Sequence, residues 1–125
     1  MELVSAFFDG IRLFNRGSYF EAHEAFEALL DEMEHDDRWG LLLALIQIAV
    51  GYHKWDSGYV GASRMLGLGA EKLAAFGDVA WDVDVRALRE RVARDLARLA
   101  DDAGAAPRPD DPPRIRLSRR RDAGA

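Results

Sequence analysis

The sequence WGLLLALIQIAVGY, residues 39–52, decides the fold of this chain. Its only polar side-chain groups are the amide of Gln47 and the tips of Trp39 and Tyr52. A helix that is apolar on all sides has to be surrounded by other helices. A membrane span needs about 20 predominantly apolar residues, so this stretch is too short to cross a bilayer. It predicts instead the central helix of a bundle, over residues 38–55.

Amphipathic segments flank this central helix on both sides. Phe7, Ile11 and Phe14 recur at helical spacing before it, and Leu88 and Val92 recur in the same way after it. We predict helices over residues 2–16, 19–34, 38–55, 59–76 and from a cap at Asp82 or Asp84 to residue 102. The predicted fold class is all-α, a compact bundle of about five helices with a Pro/Arg-rich C-terminal tail.

Local signals indicate how these helices begin and pack. Ser18 and Glu21 have the spacing of a capping box at the start of the second helix. An Asp in the turn at residues 35–37 is expected to cap the third helix. Gly61, Gly67 and Gly69 are placed inside the fourth helix. Each glycine costs about 1 kcal/mol relative to alanine, and close approach of a neighbouring helix would offset that cost.

The composition of the chain changes near residue 104. We predict one helical domain over residues 1–103 and a flexible or extended tail over residues 104–125, which holds all four prolines. In this tail Ile115–Leu117 is a candidate extended stretch, and Arg119–Arg121 is expected to be disordered.

Composition narrows the function classes. The net charge of -5 disfavours nucleic acid as a partner, because phosphates repel an acidic surface. The sequence has no cysteine, which excludes thiolate nucleophiles and cysteine-ligated metals. The first residues, Met1–Val4, lack the basic group of a signal peptide. We therefore expect a soluble, cytoplasmic protein.

One pair of side chains on the second helix could carry chemistry. His23 and Glu27 are four residues apart and share a face at the predicted edge of the core. Such a pair could ligate a metal or act as base and orienting acid. Residues 23–27 have the order of a zinc-protease helix, but Glu27 stands where that motif needs its second histidine. The structural alternative is a buried imidazole held by hydrogen bonds.

Two residues of the third helix extend this candidate site. The amide of Gln47 lies in an apolar helix and needs hydrogen-bond partners, which the second helix could supply. His53 lies two turns further on and could line a pocket with His23 or lie at the surface. No complete catalytic signature is present, so catalytic residues cannot be named and the sequence leaves open whether the chain is an enzyme.

The segment FNRGSYFEAHEAFE, residues 14–27, resembles the signature of the domain of unknown function 309 family. LIQIA at residues 45–49, followed by His53, is similar to the second block of that family, and residues 61–66 are similar to a third. The chain departs from the family at Phe26 and Leu30, where tryptophan is common.

The resemblance implies a small helical fold and a polar signature that packs the second helix against the third. It implies no activity. Carried over by position, the candidate cluster comprises Asn15, Tyr19, Glu21, His23, Glu24, Glu27, Gln47 and His53.

Three hypotheses follow. The first is a helical binding module that holds a small ligand or a partner helix between the second and third helices. The second is a small metal-assisted hydrolase with a divalent metal on His23, Glu27 and His53. The third is a homo-oligomer in which the polar cluster only sets the register of the helices.

Overall fold

A computed structural model describes residues 2–34 and 36–118 of the chain. It contains five α-helices and one two-stranded sheet, which confirms the predicted all-α bundle of about five helices. The α-helices are α1 (Glu2–Asn15), α2 (Tyr19–Glu27), α3 (Trp39–Asp56), α4 (Ala62–Leu73) and α5 (Val85–Asp101). A 3-10 helix, Asp31–Met33, follows α2, and the sheet consists of β1 (Val79–Ala80) and β2 (Val83–Asp84).

α3 lies between α2 and α4 at the centre of the bundle. Ten of its 18 residues are buried, and α1 and α5 pack on the outer sides of α2 and α4. The buried side chains of all five helices form a single core cluster. Within the described ranges, no helix is long and apolar enough to cross a membrane.

The packing of α3 on α4 depends on glycine. A Cβ atom at Gly69 would lie 2.5 Å from Cγ1 of Ile48, and one at Gly51 would lie 2.7 Å from the side chain of Leu66. The expected close approach is therefore found at Gly69. It is absent at Gly67, where nothing lies within 4 Å of the Cβ position.

Several predicted helix ends were wrong. α4 begins at Ala62, because Gly61 precedes it with a φ of +98°, a left-handed conformation that ends the preceding turn. α2 ends at Glu27, and the chain continues through a turn into the 3-10 helix. The side chain of Ser18 makes no cap hydrogen bond, so the capping box with Glu21 does not form.

Of the predicted acidic caps, one is found and one is not. Asp84 accepts a hydrogen bond from the amide of Ala87 at 2.9 Å and caps α5, as predicted. Arg38, the N-cap residue of α3, makes no side-chain cap hydrogen bond. Asp36 instead accepts a hydrogen bond from the amide of Arg38 at 2.8 Å, because an Asp side chain readily closes a turn on the residue two positions later.

A β-hairpin leads into α5. Trp81 and Asp82 form its two-residue turn with φ angles of +49° and +63°, as in the turns that match strand twist. The ring of Trp81 stacks on that of Phe7 with 3.9 Å between centroids, which holds this unusual backbone in place. Strands of two residues carry too little alternation to be predicted from the sequence.

The tail packs back on the bundle. The side chain of Ile115 is 1% exposed and belongs to the core cluster. Leu117 pairs with Val83 in an antiparallel bridge, and the amide of Asp84 donates to the carbonyl of Arg116 at 2.8 Å. The predicted extended stretch at 115–117 therefore runs alongside β2. The predicted disorder of Arg119–Arg121 concerns positions outside the described residues.

Candidate functional site

The structure separates the eight residues of the predicted polar cluster. Asn15 and Tyr19 lie on the side of the bundle that faces the tail, and both line a cavity there. The carboxylates at positions 21, 24 and 27 are exposed. His23 and His53 lie on the surface where α2 meets α3. The cluster therefore does not converge on one site between the second and third helices.

The prediction that His23 and Glu27 both face inward was wrong for Glu27. The side chain of Glu27 is 58% exposed, against 16% for His23, and Nε2 of His23 lies 3.8 Å from Oε1 of Glu27. α2 is only nine residues long, and its buried face consists of Tyr19, Ala22 and Phe26 alone. Glu27 falls outside that narrow face.

The imidazoles of His23 and His53 both pack against the ring of Phe20. Ring centroids lie 4.9 Å apart for Phe20 and His23, and 5.1 Å apart for Phe20 and His53. Tyr59 continues this series at 6.0 Å from His53. We call the four rings of Phe20, His23, His53 and Tyr59 the aromatic row.

The aromatic row does not make a metal site. Both imidazoles contact the ring of Phe20, and Nδ1 of His23 already contacts the carbonyl oxygen of Phe20 at 2.6 Å. The part of the chain that the structure describes contains no group of three or more His, Asp or Glu side chains able to hold a metal ion. The ligand set His23, Glu27 and His53 therefore does not fit a divalent metal.

Gln47 does not join the histidines either. Its Oε1 is buried and has no hydrogen-bond partner among residues 2–34 and 36–118. The expected partner on α2 is absent, because the described polar side chains of α2 beyond Tyr19 point toward solvent or bond locally.

The cavity beside the tail has the stronger features of a site. It has a volume of about 250 Å³ and lies between the α1–α2 junction, the end of α3, α5 and the tail. Three aromatic rings, five charged side chains and four prolines contribute to it. The lining comprises Asn15, Arg16, Gly17, Tyr19, Tyr52, Trp55, Asp56, Arg91, Asp95, Pro107, Arg108, Pro109, Pro112 and Pro113.

A buried polar network forms the floor of this cavity. The hydroxyl of Tyr52 donates to Oδ2 of Asp95 at 2.6 Å, and Nε of Arg91 donates to the same oxygen at 2.9 Å. Asp95 is 3% exposed and is the only buried charged residue in the described part of the chain. Burial and the Asp95 carboxylate raise the pKa of the Tyr52 hydroxyl, so this group stays a donor.

Arg91 extends the network to the tail. Its guanidinium donates to the backbone oxygen of Asp111, and its Nη1 lies 3.5 Å from the Asp111 carboxylate. Asn15 fastens the same segment from the other side. Its amide donates to the oxygen of Ile115 at 3.0 Å and accepts from the nitrogen of Ile115 at 2.7 Å. The walls of the cavity are therefore tied to one another.

Tyr19 completes the polar lining of the cavity. Burial, followed by the nearby Asp56 carboxylate, raises the pKa of Tyr19 to about 12. The hydroxyl of Tyr19 has no hydrogen-bond partner in the described ranges, and Asp56 has no ion-pair partner there. These two groups remain available to a bound molecule.

Sequence reasoning missed Tyr52, Arg91 and Asp95. Charged residues of a surface helix usually face solvent, but the side chains of Arg91 and Asp95 are only 13% and 4% exposed. A signal for Asp95 was present, because it follows Val92 by three positions and precedes Leu99 by four, in the spacing of the buried stripe. Tyr52 carried no signal beyond its place at the end of the apolar run.

Comparison with known proteins relates residues 7–66, which include the first part of the cavity lining, to a protein family. No curated protein matches the chain. The family model described as Domain of unknown function (DUF309) matches residues 7–66. That range supplies most of α1, all of α2 and α3, the start of α4 and the lining residues Asn15 to Asp56, whereas α5 and the tail lie beyond it. Over residues 7–66, the chain is therefore similar to the DUF309 family.

Proposed function

We propose that this chain is a helical binding module that holds a small polar ligand in the cavity beside the tail. The observation that carries the proposal is the hydroxyl of Tyr19, a 7% exposed residue that lines the cavity and has no partner among the described residues. This hydroxyl opens onto the cavity and is not one of the buried polar atoms, so a ligand that bonds to it gains an interaction that the described residues do not make.

The charges of the lining favour a ligand with groups of both signs. Asp56 offers a carboxylate, and Arg16 and Arg108 offer guanidinium groups, all without an ion-pair partner within residues 2–34 and 36–118. Trp55 and Tyr52 supply apolar walls. A free amino acid, with one ammonium and one carboxylate group, has this chemistry.

The size of the cavity supports the same ligand class. Pockets for drug-sized ligands measure about 300–1,000 Å³, and this cavity of about 250 Å³ lies just below that range. The ties from Arg91 to the tail and from Asn15 to the tail support a site that is formed before the ligand arrives.

Nuclear magnetic resonance tests the proposal on the full chain. Each standard amino acid would be added while the indole N–H signal of Trp55 is followed. We expect at least one to shift this signal saturably. We also expect Tyr19→Phe and Asp56→Asn to weaken its binding, and the exposed Tyr59→Phe to leave it unchanged. The proposal is wrong if no amino acid shifts the signal at millimolar concentration, or if both cavity variants bind as tightly as the original chain.

The aromatic row favours a second candidate, a partner helix docked across α2 and α3. Phe20 is 44% exposed and Tyr59 is 61% exposed. Residues 17–37 contain eight acidic residues and no Lys or Arg, so this surface favours a basic amphipathic helix.

A synthetic Leu/Lys amphipathic peptide tests the second candidate. We expect its binding to be lost in Phe20→Ser and retained in Arg64→Gln, a variant on the exposed side of α4. Sedimentation of the chain alone tests the alternative that a second copy of the protein, and not a basic helix, docks on this surface. Equal binding to both variants would count against the aromatic row.

We also propose that the protein is cytoplasmic, which is supported by the cysteine-free sequence.

A further inference from the structure

A second cleft lies on the outer side of α5, where the tail crosses it. It has a volume of about 350 Å³. Its charged lining consists of Glu90, Arg91, Arg94, Asp111, Arg114 and Arg116. Four arginines against two carboxylates give this lining a net positive charge, in a protein whose net charge is -5.

The extended backbone of the tail places the side chains of two of these arginines at the cleft. Ile115 is buried, and both its amide nitrogen and its carbonyl oxygen are held by the side chain of Asn15. Neighbouring side chains of an extended chain point to opposite faces. Arg114 and Arg116 therefore both point away from the core, toward the same side as Arg94 of α5.

Three of the four arginines have no counter-charge among residues 2–34 and 36–118. Arg91 is neutralised by Asp95 and Asp111. Glu90 forms an ion pair with Arg86 at 3.2 Å and is therefore not free to neutralise the cleft.

Arg94, Arg114 and Arg116 are exposed, and none of them forms an ion pair with any residue in the described ranges. Three like charges in one cleft repel one another, and an anion between them would remove that repulsion.

We propose that this cleft binds a small phosphate-bearing ligand through Arg94, Arg114 and Arg116. The planar guanidinium group matches phosphate oxygens in pairs, and such charge-assisted contacts are among the stronger hydrogen bonds in proteins. The volume of the cleft lies within the range of small-molecule sites. The acidic remainder of the chain disfavours a long polyanion, which would extend beyond the cleft. This site uses none of the side chains that carry the amino-acid proposal.

Titration calorimetry of the full chain with pyrophosphate at low ionic strength tests the site. We expect saturable binding of one pyrophosphate per chain. Each of Arg94→Gln, Arg114→Gln and Arg116→Gln should weaken it by roughly tenfold, as expected for the loss of a charge-assisted hydrogen bond. Arg64→Gln is the matched control, because Arg64 is exposed on α4 and has no ion pair with the described residues. It should bind as the original chain does.

Three results would overturn the proposal. The first is the absence of saturable heat with millimolar pyrophosphate. The second is an equal loss in Arg64→Gln, which would show a general effect of net charge. The third is much tighter binding of a short single-stranded oligonucleotide, which would assign the face to nucleic acid. The Trp55 indole signal, followed in the same samples, reports separately on the cavity, so the failure of either proposal can be told from the failure of the other.

Discussion

The hydroxyl of Tyr52 and the carboxylate of Asp95 form a buried hydrogen bond of 2.6 Å between residues 43 positions apart in the sequence. The bond joins α3, the central helix, to α5, and Arg91 carries it on to the tail. Four parts of the molecule that bear on binding therefore depend on this pair. They are the cavity floor, the arginine cleft, the position of α5 and the path of the tail.

Removal of the hydroxyl in Tyr52→Phe is expected to destabilise the fold by about 1.5–3 kcal/mol, the range for a hydrogen bond to a charged group. Asp95 would keep Arg91 as its partner, so the chain should still fold. Chemical denaturation measures the change. Tyr59→Phe, on a ring that is 61% exposed, is the control and should change stability by less than about 0.5 kcal/mol. Equal stability of the two variants would contradict the role of the bond.

Alkaline pH is expected to unfold the protein through its buried tyrosines. Burial raises the pKa of Tyr19 from 10.0 to about 12 and also raises the pKa of Tyr52. The folded chain therefore keeps protons that the unfolded chain releases near pH 10. The contribution of Tyr19 to stability is complete below pH 10 and is lost as the pH rises from 10 through about 12, and the contribution of Tyr52 falls in the same direction.

Tyrosinate absorbance in the Tyr59→Phe variant checks this dependence, because only Tyr19 and Tyr52 then contribute. We expect the folded variant to titrate above pH 10 and the same variant in denaturant to titrate near pH 10. Coincident titrations would contradict the prediction.

The glycines of α4 are expected to respond in opposite directions to alanine. In Gly69→Ala the new Cβ would lie 2.5 Å from the side chain of Ile48 and 3.0 Å from the carbonyl oxygen of Ala44, so we expect a loss of about 1–3 kcal/mol. Gly67→Ala meets nothing within 4 Å and should stabilise the helix by about 0.4–1 kcal/mol. Thermal denaturation of the two variants gives the signs, and two changes of the same sign would be inconsistent with this packing.

Loss of the Asn15 side chain is expected to release the tail. Asn15→Ala removes both hydrogen bonds to the backbone of Ile115, each worth about 0.5–1.5 kcal/mol. Hydrogen exchange at the Ile115 amide should become roughly tenfold faster, because about 1.4 kcal/mol corresponds to a factor of ten. Arg12→Ala, an exposed change on the same helix, is the control. Unchanged exchange in Asn15→Ala would mean that the tail is held by other contacts.

The helices could be predicted because their patterns are local. The apolar run at residues 39–52 has no face suited to water, and its burial in α3 follows from that composition. The stripe through Leu88 and Val92 likewise predicted α5. Asp95 lies in that same stripe, and the sequence does not say whether a partner such as Tyr52 meets it there.

The candidate site could be predicted only in part, because neighbours in sequence were separated by the fold. Tyr19 and Phe20 are adjacent, yet Tyr19 lines the cavity and Phe20 belongs to the aromatic row. Adjacent residues of a helix point about 100° apart. Residues of one sequence motif therefore lie on two different surfaces of the protein. Glu27 shares the motif of His23 but lies beyond the short buried face of α2.

The sequence by itself determined that the chain is a helical bundle with an apolar central helix, since periodicity and composition act over a few turns. Only the tertiary structure decided which polar groups meet. Asn15 holds Ile115 across 100 positions, and Tyr52 meets Asp95 across 43. Such pairs form because each buried polar group requires a partner and the packing of the helices determines which one comes within reach. The local sequence around one member of such a pair does not indicate which residue is the other member.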